Sequence, residues 1–421
     1  MSIKEETLQL GLQRYFEQTR ADLLRGMREK AWDHFLELGL PEIKDDAFKY
    51  VPLRRFYELS LQGHLLPTIQ KEEILPHIYP ECRGSYIVFV NGAYVPELSD
   101  LTNIPKKAVV QPIVDAMRSY GPFLQSRWSK ALKEEPDPFA ILNLAVHPRG
   151  LFFYVPPKVR IDVPVQTLFL STGENSFAPA RLQLFLASQT EVQWVSSIAG
   201  DGVHQTLLDV ALEDGASFQQ ADVSHPGKGW HFNFLRSTLK RDSRLQYFSM
   251  TSGERVTRHS LRAHLQGENA DALLQGLWHL QKAAESHTHV FVEHAAPHAR
   301  SLQKFKGVLK DVAKSSFEGK IFVRPEAQKT EAYQVNHNLL LSEGAIANAK
   351  PNLEIFADDV KASHGATFAQ VDEEQLFYLK SRGLSSADAK QLLIRGFMQE
   401  MINQIPVASV RKGVESDVFS L

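Results

Sequence analysis

A long succession of short runs with alternating polarity constrains the fold of this chain more than any other feature. From Leu151 onward these runs recur every 10 to 15 residues, roughly, over about 200 residues, with polar or glycine-containing turns such as EDGAS between them. Alternation with a period of two indicates half-buried strands. The region is long for one sandwich or barrel, mixes Gln, Ser, Thr and His along its strands, and has few two-residue hairpin turns. The pattern therefore favours a β-solenoid, although no strict short repeat is visible.

Helical patterns flank this strand region on both sides. We divide the chain into a mainly helical N-terminal region (residues 1–148), a strand core (149–368) and a C-terminal helical unit (369–421). Within the first region, Asn91-Gly92 separates two short apolar runs, which predicts a β-hairpin. The chain is thus predicted to be mainly β, with helices at both ends.

The C-terminal unit carries clear helix boundaries. Asp372 and Ser385 suit N-cap positions, and Gly383 suits a helix end. The two predicted helices have more apolar surface than a lone helical hairpin can bury, so they must pack on the sheet, on the N-terminal helices or on a partner. The tail from Ala408 to Leu421 is expected to be loosely ordered.

Charge and cysteine content limit the partners and the compartment. A net charge of −2 gives no reason to expect nucleic acid or an anionic membrane as a partner. No apolar run approaches the roughly 18 residues that a membrane-spanning helix needs, and the N-terminus lacks the apolar core of a secretory signal. We expect a cytoplasmic protein, or one from an organelle with an equivalent reducing compartment. Cys82 is the only cysteine, which excludes an intramolecular disulfide and a cysteine-rich metal site from this chain alone; we interpret it as structural.

Two enzymatic hypotheses have some basis in the sequence. Histidines crowd the segment from His287 to His298, and His287 and His289 share one strand face, which would suit a metal-dependent hydrolase. Pro297 lies inside the EHAAPH segment and would break a zinc-binding helix there. Asp358-Asp359 could be an acid–base pair of a β-helix carbohydrate lyase or hydrolase, but two aspartates between strands more often form a turn. No phosphate-binding loop, dinucleotide fingerprint or nucleophile elbow is present.

The stretch from Leu353 to Thr367 alternates like a pair of strands. Leu353 and Ile355 share one parity before the two aspartates, and Val360, Ala362 and His364 share another after them. Beyond Val371 the period becomes helical. The stretch places one histidine at a fixed position on a sheet face, where it is either a structural or a functional group.

Ordered motifs in this part of the chain resemble a known family. FKGVLKDVAKSSFEGKI, AQKTEAYQVNHNLLLS, KPNLEIFADDVKASHGAT and DEEQLFYLKSRG, together with LGLPEIKDDAFKYVPL near the start, resemble the SufD branch of the SufB/SufD family of iron–sulfur cluster assembly subunits. The resemblance implies a right-handed parallel β-helix with an N-terminal helical region and a C-terminal helical subdomain. It also implies a non-catalytic scaffold subunit rather than an enzyme.

The resemblance implies two partners and no tightly bound cofactor. Such a subunit pairs with a SufB-like paralogue through the end of its β-helix, and its C-terminal helices dock a SufC-like ATPase. The isolated chain could form a homodimer. A nascent iron–sulfur cluster would be held transiently at the SufB-like interface, with no metal in the isolated chain, and the sequence leaves open whether the complex holds a flavin.

Individual positions follow from the same motifs. The resemblance makes His364 of KASHGAT the residue at the cluster-assembly interface, while Ala362 stands where relatives often have cysteine. A SufB-like partner would therefore bring the sulfur ligands, with His364 as at most an imidazole ligand. The strands that meet this partner would carry Leu353, Ile355, Val360, Ala362 and Thr367. The ATPase would dock on the region of Phe377, Tyr378, Leu393, Phe397 and Met401.

Overall fold

Two large sheets account for most of the molecule in the computed structural model, which describes residues 3–19, 22–62, 67–173, 175–224 and 227–419. The ten-stranded sheet contains β1 (Tyr86–Val90), β2 (Ala93–Tyr94), β5 (Val165–Leu170), β7 (Glu191–Ala199), β9 (Ser217–Ser224), β11 (Arg244–Thr251), β13 (Asp271–Leu280), β15 (Arg300–Leu309), β17 (Thr330–Leu340) and β19 (Val360–Ala369). The nine-stranded sheet contains β3 (Val109–Pro112), β4 (Leu151–Val155), β6 (Phe177–Leu186), β8 (Val203–Leu212), β10 (Trp230–Leu239), β12 (Val256–Leu265), β14 (Glu285–His294), β16 (Lys314–Val323) and β18 (Ile346–Ile355).

The chain winds alternately between the two sheets. From β4 to β19, each strand pairs in parallel with the strand two places further along the chain, so a stack of coils forms with one strand per sheet in each coil. This is a parallel β-solenoid of about seven turns. The predicted fold class is therefore confirmed, because the strand-like runs of the sequence are the successive sides of the coils.

Apolar side chains of the inward-facing parity fill the space between the sheets. Trp194, Trp278 and Phe305 are among the large buried residues of this core. Because parallel strands stack in register, like positions lie directly above one another, as Leu235 does on Leu261. Inward positions therefore form continuous apolar columns, which is why each strand needs an alternating pattern of its own.

A buried cluster of polar side chains lies among the middle coils, beside the apolar core. Asn233 donates hydrogen bonds to Asp222 Oδ2 (2.8 Å) and to the Tyr247 hydroxyl (2.8 Å), and its side-chain nitrogen lies 3.0 Å from His259 Nδ1. Burial raises the pKa of the Asp222 carboxyl to about 7 and lowers the pKa of His259 to about 4. Burial likewise lowers the pKa of His231. The imidazoles are thus held neutral in this cluster, and the carboxyl retains its proton up to near neutral pH.

Sharp corners between strands use single residues with left-handed backbone. Asp242, Asn269, His298, Asp311 and Lys329 all have φ between 57° and 59°. Asn and Asp tolerate this conformation better than most residues. Stacked corners also bind one another, since Asn269 Nδ2 donates to Asp242 Oδ1 (2.7 Å).

N-terminal helices cover the outer face of the nine-stranded sheet. They are α1 (Ile3–Thr19), α2 (Arg25–Leu38), α3 (Leu53–Tyr57), α5 (Ile113–Glu134) and α6 (Pro138–Val146), with α4 (Lys71–Ile74) beside the ten-stranded sheet. The hairpin predicted at Asn91-Gly92 is confirmed, with β1 and β2 antiparallel and both turn residues at positive φ. Among the described residues, no helix is long and apolar enough to cross a membrane.

C-terminal helices return along the outer face of the ten-stranded sheet. They are α7 (Glu373–Ser381), α8 (Ser386–Ile402) and α9 (Ala408–Phe419). Asp372 and Ser385 cap α7 and α8 as predicted. The expectation of a loosely ordered tail is wrong for residues 408–419, because Val410, Val414 and Val418 form a buried stripe at helical spacing.

Candidate functional site

The two ends of the solenoid differ in how their edges are protected. At one end the short strands β2 and β3 pair antiparallel with β1 and β4 and close the sheets. At the other end, β18 and β19 are the last strands of their sheets and are 10 residues long each. No strand among the described residues pairs with their outer edges. Long unpaired edges present a row of backbone donors and acceptors that can pair with another chain.

His364 lies in the middle of the edge strand β19, with its side chain exposed. It stands in register with Gln334 of β17, which in turn stands on Gln303 of β15. Both glutamines are fully buried, and Gln334 Nε2 donates to Gln303 Oε1 at 2.5 Å. His364 therefore continues an inward-facing column of amides at the point where the solenoid opens.

Gln334 leaves one acceptor next to His364. Its Oε1 atom is buried and has no hydrogen-bond partner in the part of the chain that the structure describes. A buried amide oxygen without a partner is costly, so an N–H donor beside it is favoured. Gln303 Nε2, in register on the other side, is also buried without a partner in the described part of the chain, so either this nitrogen or the imidazole of His364 could supply the donor.

The other residues predicted for the partner-facing strands also lie at this end. Leu353, Ile355, Val360 and Ala362 are half-buried and pack on the apolar cluster of the last coil. Thr367 lies on the opposite parity and is hydrogen-bonded through Oγ1 to His337 Nδ1 (2.7 Å). The structure thus brings the predicted residues together on two adjacent edges, with Thr367 on the outer face.

Two phenylalanines extend this apolar rim into solvent. Phe356 follows β18 directly, Phe368 is the second-last residue of β19, and both are exposed. Asp358 and Asp359 form the turn between the strands, where Asp359 N–H donates to Gln328 Oε1 (3.0 Å). They serve the turn and do not form a catalytic pair in a cleft.

An exposed apolar patch lies on α7 and the start of α8. Phe377 is 73% exposed and Tyr378 is 56% exposed, and Leu393 lies half-buried beside Tyr378 in a shallow groove. Large exposed aromatic side chains in a cluster mark a site for a protein partner. We call this the α7–α8 patch, defined by Phe377, Tyr378, Leu384, Leu392 and Leu393.

Two residues predicted for docking face the solenoid. Met401 is 0% exposed and packs in the core between α8 and the ten-stranded sheet, so its side chain is not available to a partner. Phe397 is partly buried against the same core, with the Lys306 ammonium 4.8 Å from its ring centre. Phe397 and Met401, four residues apart, lie on the face of α8 that covers the sheet.

Lysines of the ten-stranded sheet hold α8 in place. Lys306 Nζ donates to Glu400 Oε2 (2.8 Å) and to the Phe397 carbonyl (3.0 Å), and Lys304 also contacts Glu400. Hydrogen bonds from Lys304 and Lys306 lower the pKa of Glu400 to about 2. This ion cluster fixes the helix that carries the α7–α8 patch relative to the solenoid.

The segment from His287 to His298 does not form a metal site. His287 Nδ1 is 2.9 Å from Ser316 Oγ and its Nε2 is 3.2 Å from Glu285, whereas His294 faces inward to Ser301 and His298 occupies a corner. No group of three His, Cys, Asp or Glu side chains among the described residues could hold a metal ion. The hydrolase hypothesis is therefore not supported.

Cys82 has the character of a structural thiol. It is fully buried in the cluster between the ten-stranded sheet and the C-terminal helices. Burial raises the pKa of its thiol to about 12, which disfavours the reactive thiolate.

The amide column beneath His364 was not predicted from the sequence. Gln303, Gln334 and His364 are separated by 30 residues or so, and only the coil repeat of the solenoid aligns them. The alternating pattern of each strand shows that these positions face inward, but the sequence does not show which residues of neighbouring strands are in register.

Comparison with known proteins agrees with this architecture. Residues 169–397 match the family described as the SUF system FeS cluster assembly, SufBD core domain, and residues 7–167 match the SufBD protein N-terminal region. The chain belongs to the SufBD family of iron–sulfur cluster assembly proteins.

Several relatives carry the SufD name or the family name. The chain is 31% identical to the iron–sulfur cluster assembly protein SufD of Escherichia coli, over 87% of this chain and 85% of that protein. It is 27% identical to a SufBD family protein of Synechocystis, over 93% of this chain and 90% of that protein. It is 23% identical to SufB of Bacillus subtilis, over 90% of this chain and 85% of that protein. The resemblance noted in the sequence, SufD-like within the family, is confirmed.

Proposed function

We propose that this chain is a non-catalytic scaffold subunit of a Suf-type complex that assembles iron–sulfur clusters. In this proposal it pairs with a SufB-like paralogue through the open end of the solenoid and docks a SufC-like ATPase through its C-terminal helices. The observation that carries the proposal is the pair of long unpaired edges, β18 and β19, at one end of a solenoid whose other end is closed.

Pairing through these edges is supported by their geometry. A second solenoid of the same architecture would extend both sheets at once, adding backbone hydrogen bonds along two strands. Phe356 and Phe368 would become buried at the junction, together with the half-buried residues of the last coil. Two copies of this chain could pair through the same edges, and this homodimer is the alternative to the complex with a SufB-like partner.

The role proposed for His364 follows from its position on the edge. Its imidazole would stand at the seam between the two solenoids, where one of its nitrogens could face a group of the partner. Since Cys82 is buried and is the only cysteine, thiolate ligands for the iron must come from the partner. His364 would add one nitrogen ligand to a cluster that is the cargo of the complex.

Docking of the ATPase is proposed on the α7–α8 patch. The patch combines exposed aromatic and leucine side chains, which are typical of the core of a protein interface. The ion cluster of Lys304, Lys306 and Glu400 ties α8 to the sheet. A movement of the docked ATPase would therefore be transmitted to the solenoid and so to its open end.

Co-purification tests the assembly. The tagged chain is co-expressed with the SufB-like and SufC-like proteins of its host, and iron and acid-labile sulfide are measured on the product. We expect a three-component complex that carries a cluster and an isolated chain without one. A chain that remains alone under these conditions refutes the proposal.

Matched variants separate the two surfaces. Phe377→Asp is expected to weaken ATPase binding by at least tenfold or so, as loss of a central aromatic contact does, while the SufB-like partner is retained. Leu23→Asp places the same charge on another exposed apolar residue and serves as control.

His364→Ala is expected to leave the complex intact and lower its cluster content, with His34→Ala as the surface control. Equal cluster yield from both histidine variants would exclude the role of His364.

A further inference from the structure

The motif LGLPEIKDDAFKYVPL, residues 38–53, links α2 to α3 and lies on the outer face of the nine-stranded sheet. Phe48 anchors it, because its buried ring packs edge-to-face against Phe139 of α6 and has the Arg258 guanidinium of β12 4.0 Å from its centre. Residues on both sides of Phe48 share a small cavity with side chains of β14 and β16. The segment therefore crosses several coils on the outside of the solenoid.

One residue of this segment reaches the open end. Asp46 Oδ2 accepts a hydrogen bond from Lys350 Nζ at 3.0 Å, and Lys350 lies in the middle of β18, the last strand of its sheet. Glu318 of β16 lies 3.6 Å from the same ammonium. An exposed ion pair contributes little to stability, so the main consequence of this contact is where it holds the segment, namely beside the unpaired edge.

A tight turn comes directly before Asp46 and presents an apolar side chain to solvent. The Asp45 N–H donates to the Glu42 carbonyl (3.0 Å), and the Glu42 N–H donates to Asp45 Oδ2 (2.8 Å). Ile43 occupies the second position of this turn and is 45% exposed. Turns favour Gly, Pro, Asn, Asp and Ser, so the backbone gives no reason for isoleucine there.

Two more exposed apolar side chains lie on the outer face of β18. Ile346 begins the strand and Phe356 follows it directly, and both are exposed. They have the same parity as Lys350, so they point to the side of the strand on which Asp46 lies. Ile43, Ile346 and Phe356 are thus spaced along the outer side of the open edge, which continues the apolar rim of the last coil.

We propose that the turn of residues 42–45, held by Asp46, forms a second layer of contact with the SufB-like partner, outside the strand that pairs with β18. This inference rests on the proposed function. A paired strand lies about 4.8 Å beyond β18, and the turn is adjacent in sequence to a residue that already contacts β18. Ile43 would pack on outward-facing side chains of the partner's edge strand. The partner is therefore expected to carry apolar outward residues at this edge, where an edge exposed to solvent usually carries charges.

Binding of the purified SufB-like protein to the full chain, measured by biolayer interferometry, tests this contact. Ile43→Asp places a charge in the second layer and is expected to weaken binding by about tenfold. Leu10→Asp places the same charge on an exposed leucine of α1, a helix whose Tyr15 packs on Phe177 of β6, and should leave affinity unchanged. Ile43→Ser is the second variant, in case circular dichroism shows that the first fails to fold. Equal affinity in a folded Ile43 variant and in the control would overturn the proposal.

A fluorescent label gives a direct measurement of the same contact. Cys82 is the only cysteine and is buried, so Lys44→Cys adds a single exposed thiol at the turn. The emission of bimane attached there should shift to the blue when the partner is added, because the partner excludes water from the label. The same label on Leu10→Cys should not respond. A complex that forms without changing the emission at residue 44 would contradict the second layer.

The outcomes distinguish this inference from the scaffold proposal. Failure of the wild-type chain to bind the SufB-like protein refutes the pairing itself and, with it, the second layer. Phe356→Asp changes the open edge and is expected to weaken pairing whether or not the turn takes part. Weak binding by Phe356→Asp together with full binding by Ile43→Asp would leave the pairing in place and exclude only the role of the turn.

Discussion

Replacing Asp222 by asparagine is expected to stabilise the protein near neutral pH and to have little effect in acid. Asp222 is 2% exposed, accepts a hydrogen bond from Asn233, and has a second carboxyl oxygen with no partner in the described part of the chain. Burial raises the pKa of this carboxyl from 3.8 to about 7. The amide has nearly the same shape and carries no charge at any pH, so it removes the titration and keeps the acceptor.

The magnitude follows from the proton linkage. A raised pKa means that the folded state holds a proton that the unfolded state has lost, so this carboxyl stabilises the fold fully below pH 3.8 and loses that contribution as the pH rises through about 7. Each pKa unit corresponds to about 1.4 kcal/mol, which makes the loss up to about 4 kcal/mol. Asp222→Asn should therefore raise the unfolding free energy by up to about 4 kcal/mol above pH 7, and by almost nothing near pH 4.

Equilibrium urea unfolding, followed by circular dichroism across this pH range, measures the difference. The buried histidines titrate in both proteins, so their contribution cancels when the two curves are subtracted. The infrared carbonyl band of a protonated carboxylic acid, present in the wild type at pH 6 and absent from the variant, checks the assignment directly. Asp33→Asn on the exposed face of α2 is the control. A difference that is constant with pH, or a variant that is less stable above pH 7, would refute the reasoning.

Other expectations concern packing, backbone space and acid. Met401→Ala should lower the unfolding free energy by about 2 to 5 kcal/mol, because it leaves a cavity between α8 and the sheet. Phe377→Ala, at an exposed position, should change the unfolding free energy by less than about 0.5 kcal/mol. Similar losses for both variants in urea unfolding would mean that the buried face of α8 is misassigned. Gly307→Ala should destabilise by about 1 to 3 kcal/mol, because the added Cβ would lie 1.9 Å from Trp278 Nε1; an unchanged melting temperature would contradict this. Burial lowers the pKa of His259 from 6.5 to about 4, so the contribution of its neutral imidazole to stability is lost as the pH falls from 6.5 to about 4. Urea midpoints measured in the Asp222→Asn background should therefore decrease as the pH falls through that window. The decrease should be smaller after His259→Gln.

The sequence predicted the solenoid because every coil carries its own alternating pattern. The hairpin at Asn91-Gly92 and the helix caps at Asp372 and Ser385 were also predictable, since each depends on a few neighbouring residues. Local chemistry of this kind can be read without knowing the rest of the fold.

The sequence does not show which neighbour, a sheet or a partner protein, covers the apolar face of a helix. The face of α8 that carries Phe397 and Met401 is apolar, but its composition is the same whether a sheet or a partner protein packs against it. The stripe of Val410, Val414 and Val418 was overlooked because terminal segments are more often poorly ordered. The column of Gln303, Gln334 and His364 required the register between coils, which depends on the length of every intervening corner.

Corner length carries a further consequence for how this architecture diversifies. In the nine-stranded sheet Trp230 stacks on Val256, Val256 on Glu285 and Lys314 on Ile346, so the distance along the chain from one coil to the next is not constant. Some of the extra residues lie at the corners, and the others lengthen strands of the ten-stranded sheet, where β11 has 8 residues, β13 has 10 and β17 has 11. Coils of unequal length can therefore stack in register, so the sequence shows no constant period although the coils repeat in space.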